Sequence, residues 1–115
     1  MPVIHIFHRQ TDDAAAPPLQ AVCEAVSAAA DIPPDKVWAL WHPVAPAMAW
    51  RADWNEAPGG GPVVRIFCRR SHSKARVLSI VAAVRSTLGA ALGCAASTVF
   101  VQIIRVDDEE VFSVG

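Results

Sequence analysis

Apolar and β-branched residues fill two short stretches that begin with the same proline–valine pair. Residues 2–9 and 62–69 each predict a strand. With an offset of 60 residues (62 − 2 = 60), their proline, first valine, isoleucine, phenylalanine and last arginine coincide. A helical pattern follows each stretch, and a second apolar strand follows at residues 36–42 and 98–106. The chain therefore predicts two copies of one strand–helix–strand unit.

Each predicted helix has one apolar face. In residues 17–30 this face consists of Leu19, Val22, Cys23, Val26 and Ala30. In the second unit Ser71 is the expected cap of a helix over about 72–92, and Gly93 is the expected left-handed residue at its end. The apolar face of this helix consists of Val77, Val81, Val84, Leu88 and Leu92. The two helices are therefore expected to pack on a common sheet.

Parallel strands joined by a helix form right-handed units. Two such units, at residues 2–42 and 62–106 with a linker at 43–61, predict a single α+β domain over 1–115. Its four-stranded sheet would carry both helices on one face. The turn at Asp107–Asp108 and a short strand over 110–114 predict a C-terminal β-hairpin. The sheet face without helices is also apolar, which predicts that further copies of the chain cover it.

Composition excludes several classes of function. The 115 residues are 53% hydrophobic with a net charge of −1 and no basic block, so no nucleic-acid partner is expected. No apolar run reaches the roughly 18 residues of a membrane span, and no signal peptide opens the chain. Cys23, Cys68 and Cys94 lack metal or redox spacing and predict reduced thiols in the cytoplasm. His5 and His8 should face opposite sides of a strand, so no metal site is expected.

Pro2 directly follows the initiator methionine, which is commonly removed before a small residue. Removal would make the Pro2 nitrogen a free secondary amine. An α-amino group titrates at roughly 7.7–8.0, and burial lowers this pKa. A base with a pKa near neutrality suits proton removal beside a carbonyl. The alternative is that Pro2 only begins an edge strand, where proline is tolerated.

A Met1–Pro2 start, a duplicated βαβ unit and this chain length together resemble the tautomerase superfamily. Its members include 4-oxalocrotonate tautomerase, malonate semialdehyde decarboxylase, cis-3-chloroacrylic acid dehalogenase and macrophage migration inhibitory factor. The resemblance implies a cofactor-independent homotrimer in which Pro2 is the general base or acid. It also implies that Arg69 and Arg70, just before the second helix, bind a substrate carboxylate. Arginine suits this role because its planar fork matches a carboxylate.

The sequence also departs from individual branches of that superfamily. Trp38 stands where simple tautomerases have an arginine, and Ile32 and Phe100 stand where the migration-inhibitory-factor branch has a lysine and a tyrosine. We expect Trp38 and Trp50 to form apolar walls of the substrate site, with the option that a neighbouring subunit supplies one of them.

The resemblance implies a tautomerase or isomerase that moves a proton on a small 2-keto or enol carboxylic acid. One alternative is a decarboxylase or a dehalogenase/hydratase of the same fold, in which a protonated proline acts as an acid. The other alternative is a non-catalytic trimeric binding protein. It applies if Met1 is retained, because Pro2 would then be a tertiary amide without a base to offer.

Overall fold

The computed structural model describes residues 1–11, 15–56 and 59–112. The strands are β1 (Val3–Arg9), β2 (Trp38–Val44), β3 (Val63–Arg69) and β4 (Phe100–Val106), and the helices are α1 (Leu19–Ala30), α2 (Ala52–Asn55) and α3 (Lys74–Leu92). Single 3₁₀ turns occupy Pro34–Lys36, Pro46–Met48, Ala96–Thr98 and Asp108–Glu110.

The four strands form one sheet in the order β2-β1-β3-β4. β1 pairs with β2 and β3 pairs with β4 in parallel, while β1 and β3 are antiparallel neighbours at the centre. The amide of Trp38 donates to the carbonyl of Pro2, and the amide of Phe100 donates to that of Pro62, both at 3.1 Å. The predicted α+β fold of two βαβ units is confirmed, and the two units repeat each other down to these hydrogen bonds.

α1 and α3 lie on the same face of the sheet and enclose the core. The fully buried side chains alternate along the central strands and recur on the inner helix faces, as the period of each element requires. They include Ile4, Ile6, Val64, Ile66, Val22, Val26, Ile80, Val84 and Leu88. α3 is long and apolar enough to cross a membrane by length and composition alone. Here its apolar residues pack on the sheet instead.

Some element boundaries differ from those predicted. Ser73, not Ser71, caps α3, because its side chain accepts a hydrogen bond from the amide of Arg76. The helix ends as predicted at Gly93, whose φ of 69° is left-handed. Ile80 takes the fully buried position predicted for Val81, which is half-buried. α1 begins at Leu19, two residues later than predicted, because a residue that precedes a proline, here Pro17, is disfavoured in helical conformation.

The predicted last strand over 110–114 is wrong for its first three residues. Asp108–Glu110 is a 3₁₀ turn, and residues 111–112 have no strand partner in the described chain. A reciprocal capping box explains this: the Asp107 side chain accepts from the Glu110 amide, and the Glu110 side chain accepts from the Asp107 amide. Residues 113–114 of the predicted strand lie outside the described residues.

The sheet face opposite the helices, which we call the open face, is apolar around a polar centre. Trp38, Leu40 and Phe100 are 49%, 42% and 57% exposed there. At the centre, His5 Nδ1 lies 2.8 Å from His42 Nε2, and the His5 ring also contacts Phe7 and Phe67. A surface of this kind is typical of an interface between subunits.

His8 lies on the opposite side of β1, under the helices, and is only 9% exposed. Its Nδ1 has no hydrogen-bond partner among the described residues. The rings of Trp41 and Trp54 contact it edge-on. Burial lowers the pKa of His8 below its ordinary value, and the charges of Arg9 and Arg51 lower it further.

His8 should therefore make stability depend on pH. Because its pKa is lower in the folded chain, the unfolded chain binds more protons around pH 6.5 and below. The folded chain is therefore most stable above about pH 6.5, where His8 is neutral in both states. It loses stability as the pH falls below about 6.5, because the unfolded chain then binds a proton that buried His8 does not. We expect the free energy of unfolding, measured by urea titration, to rise between about pH 5.5 and pH 7.5. His8→Phe keeps the aromatic packing and should flatten this rise. An unchanged slope in that variant would contradict the assignment.

Candidate active site

A cavity of about 350 Å³ opens beside the N-terminus of β1. Met1 and Val3 line it together with the first residue of β2, the adjoining 3₁₀ turn and the C-terminal segment. The remaining lining residues are Asp35, Lys36, Trp38, Val111 and Phe112. Its walls are mainly apolar, with one lysine and one aspartate at the rim. We call it the N-terminal pocket.

Pro2 lies between two residues that line this pocket, Met1 and Val3, but does not line it itself. Its side chain is fully buried, and its carbonyl accepts the hydrogen bond from the Trp38 amide that begins the pairing with β2. The proline is therefore fixed at the start of the sheet, one residue from the pocket lining.

Arg69 belongs to the same end of the sheet. β1 and β3 pair with Val3 opposite Phe67, and continuing this register by two residues places Arg69 opposite Met1. Its guanidinium donates one hydrogen bond to the Asp108 carboxylate at 3.1 Å. A guanidinium has five N–H donors, so further donors stay available to a ligand.

Arg70 is not brought to the pocket. Its Nε donates to the Asp107 carboxylate at 2.7 Å, and its side chain is 63% exposed. The hydrogen bond from Arg70, and then that with Glu110, holds the pKa of Asp107 below its ordinary value. Strand alternation explains the split, because consecutive residues at the end of β3 point in opposite directions.

Of the two tryptophans predicted as walls of the substrate site, only Trp38 lines the N-terminal pocket. Its indole N–H donates to the Asp35 carbonyl at 3.3 Å. Trp50 is 70% exposed and does not line the pocket within one chain. Trp54, the other linker tryptophan, has a structural contact: its indole N–H donates to the Gly61 carbonyl at 3.0 Å.

The electrostatics of the pocket disfavour a protonated amine. The pKa of the Met1 amino group lies below its ordinary value, first because of burial and then because of the positive charges of Arg69 and Lys36. The Pro2 nitrogen is one residue further into the same surroundings.

Two residues near this site were not predicted from the sequence. Lys36 lies in the 3₁₀ turn before β2, and the parallel register of Val3 with Trp38 places residue 36 beside residue 1. The repeat indicates that the two units are alike but not which residues pair, so the sequence alone did not identify Lys36. His72 Nε2 lies 2.8 Å from the Met1 carbonyl oxygen. His72 follows the end of β3 in an irregular loop, where no periodic sequence pattern predicts which way its side chain points.

The corresponding end of the second unit is arranged differently. Val63, Thr98 and Phe100, which match Val3, Lys36 and Trp38, line a larger cavity of about 700 Å³. Arg51 reaches into it and donates to the Gly61 carbonyl at 2.8 Å, and it pairs with Asp53. Its charge is therefore compensated, and Pro62 follows Gly61 through an ordinary peptide bond.

Metal chemistry receives no support from the arrangement of side chains. Within residues 1–11, 15–56 and 59–112, no group of three histidine, cysteine, aspartate or glutamate side chains could hold a metal ion. All three cysteines are free thiols. The site therefore offers an amine position, two cations and apolar walls.

Solved structures share this architecture. A native fused 4-OT superposes with a TM-score of 0.84 at 18% identity, covering 98% of this chain and 92% of that one. The chain has the tautomerase-superfamily fold. A fused 4-OT described as an asymmetric trimer matches with a TM-score of 0.81 at 17% identity, over 98% of this chain and 92% of the other.

A member of the cis-3-chloroacrylic acid dehalogenase family also shares the tautomerase-superfamily fold. Its TM-score is 0.73 at 16% identity, over 98% of this chain and 80% of that one. No protein-family model matches the sequence, and no curated protein matches it significantly. The resemblance noted in the sequence is thus confirmed at the level of fold.

Proposed function

We propose that the chain is a tautomerase that acts on a small 2-keto or enol carboxylic acid after Met1 has been removed. The observation that carries the proposal is the pocket beside Met1, which Lys36 and Trp38 line, together with the positive charge of Arg69 at the same end of the sheet. In this proposal Pro2 is the base, and the two cations bind the substrate carboxylate. Trp38 forms an apolar wall that keeps water from the amine.

Each role follows from the chemistry of the groups. A guanidinium binds a carboxylate through parallel N–H donors, and an ammonium adds a point charge. Two cations beside an amine also favour its neutral form, which is the form that accepts a proton. The substrate would lie with its carboxylate towards Arg69 and Lys36 and its reacting carbon towards Pro2.

The proposal includes a homotrimer formed through the open face. The apolar residues of that face support it, and so does the trimeric state of the fused 4-OT with the same fold. Trp50 stays a prediction as a wall supplied by a neighbouring subunit, since it is exposed within its own chain. The reduced thiols of the chain suit the cytoplasm.

Decarboxylation or dehalogenation would need a protonated Pro2. The positive charges of Arg69 and Lys36, which lower the pKa of the amino group of Met1, support a neutral amine at Pro2 in this proposal, and a neutral amine suits the tautomerase. The pH dependence of kcat/KM separates the two: activity that rises with pH through the pKa of the amine indicates a base, and activity that falls indicates an acid.

The test begins with the intact mass of protein made without tags, which should lack one methionine. Turnover of phenylenolpyruvate and 2-hydroxymuconate by this protein is then measured by absorbance. Arg69→Ala should lower kcat/KM about 10- to 100-fold, because it removes charge-assisted hydrogen bonds of roughly 1.5–3 kcal/mol to the carboxylate.

Arg70→Ala is the matched control. It removes the same charge from the next residue of the chain, which is exposed and paired with Asp107, so we expect kcat/KM within about threefold of wild type. If mature protein turns over neither substrate, the tautomerase proposal fails for these acids. Equal losses in the two variants would remove Arg69 from its proposed role.

A further inference from the structure

His72 is fixed beside the first peptide bond of the chain. Its Nε2 lies 2.8 Å from the carbonyl oxygen of Met1, and the contact is partly buried. A carbonyl oxygen can only accept a hydrogen bond, so Nε2 must carry the proton and donate. The imidazole therefore presents an N–H towards the nitrogen side of Pro2.

The loop that carries His72 is held independently of Met1. The His72 amide donates to the Arg69 carbonyl at 3.1 Å, which closes a turn. The Arg105 guanidinium donates to the Arg70 carbonyl at 2.7 Å and also to the His72 carbonyl. None of these three hydrogen bonds involves Met1, so its removal leaves them intact.

Removal of Met1 would leave a gap that fits one oxygen atom. In a peptide the carbonyl oxygen lies about 2.2 Å from the following nitrogen, so His72 Nε2 lies within about 5 Å of the Pro2 nitrogen. Two hydrogen bonds of about 2.8 Å that meet at one oxygen span roughly 4.6 Å at a tetrahedral angle. A single oxygen can therefore contact both groups.

We propose that His72 is a further catalytic residue, whose Nε2–H donates to the oxygen on carbon 2 of a 2-hydroxy-alkenoate substrate. The proposal rests on the proposed function for the identity of the reaction. In this arrangement the substrate oxygen takes the place of the Met1 carbonyl oxygen. It lies between the amine of Pro2 on one side and the Nε2–H of His72 on the other.

The step balances within the substrate and one amine. Pro2 takes the proton of the enol hydroxyl, the O–H bond breaks, and negative charge spreads onto the oxygen. The His72 hydrogen bond stabilises that charge as it develops. Pro2 then returns the proton to carbon, so a C–H bond and a C=O bond form, and no oxidant or second proton is required.

Steady-state kinetics of mature His72→Phe, His72→Gln and Lys74→Ala test the assignment. His72→Phe keeps a ring but has no donor, and kcat should fall about 100-fold with KM within about threefold. His72→Gln has an amide N–H and should keep kcat within about tenfold of wild type. Lys74→Ala, an exposed change two residues on, should match wild type. Equal losses in both His72 variants, or turnover by His72→Phe within threefold of wild type, would overturn the role.

A second measurement separates this proposal from the proposed function. Phenylpyruvate is added to ¹⁵N-labelled mature protein, and the Nε2 resonance of His72 is followed by NMR. A shift without turnover of phenylenolpyruvate would reject the tautomerase and keep His72 as a ligand-binding group. Neither a shift nor turnover would overturn both. If wild type turns over substrate but the His72 resonance does not shift and the His72 variants are as active as wild type, only the role of His72 is overturned.

Discussion

A short glycine–serine extension placed ahead of Met1 should lower tautomerase activity about 1,000-fold. The extension leaves every side chain in place but keeps the Pro2 nitrogen as an amide, which cannot accept a proton. General base catalysis contributes roughly 10²- to 10⁴-fold to a rate. Loss in this range would therefore assign the base to that one nitrogen, and kcat of extended and mature protein measures it directly.

Mature Pro2→Ala is the companion variant to the extension. Methionine is also removed before alanine, so this variant keeps a free amine in the pocket but loses the rigid secondary amine of proline. Its activity should lie between those of the mature and extended proteins. Extended protein that turned over substrate as fast as mature protein would place the base elsewhere.

Leu40→Glu should convert the proposed trimer into monomers and abolish activity. Leu40 is 42% exposed in the single chain, on the open face beside His5. A carboxylate there would be taken out of water between the subunits, which costs several kcal/mol. Light scattering after size-exclusion chromatography should give 12.3 kDa for the variant and three times that mass for wild type. We expect kcat/KM to fall at least about 100-fold.

Leu78→Glu is the matched control for the open face. Leu78 is 57% exposed on α3, in the helix layer and not on the open face. The same change in charge there should leave both mass and activity unchanged. A wild-type monomer in solution, or an active trimeric Leu40→Glu, would reject the open face as the subunit interface.

The repeat explains why so much of the fold could be predicted from the sequence. A proline–valine strand start found twice, with an amphipathic helix after each, predicts that the two strands of each unit are parallel, because a helix crossover requires parallel strands. The order of the four strands and the antiparallel pairing of β1 with β3 were not predicted. The apolar faces of α1 and α3 followed from spacing alone. Most errors lie at element ends: Ser73 rather than Ser71 caps α3, and a capping box at Asp107 and Glu110 replaces the first part of a strand. Local side-chain hydrogen bonds decide such ends, and periodicity does not report them. Within α3, Ile80 rather than Val81 is fully buried.

The candidate site was only partly predictable. Pro2 and an arginine at the end of β3 followed from the sequence, but neighbouring arginines cannot be distinguished until the register with β1 shows that Arg69 lies opposite Met1. Lys36 reaches the site from the 3₁₀ turn before β2, and His72 from a loop held by the distant Arg105. Contacts of this kind depend on the assembled sheet and leave no pattern along the chain.

Joining the two units in one chain has a consequence for stoichiometry. Each unit begins with a buried proline at an equivalent place in the sheet, but only one of these nitrogens can ever become a chain terminus. The other is permanently acylated by Gly61, whose carbonyl is engaged by Arg51 and Trp54. In the proposed mechanism, therefore, only one of the two equivalent prolines can carry a free amine, and an inhibitor directed at that amine should saturate at one equivalent per polypeptide.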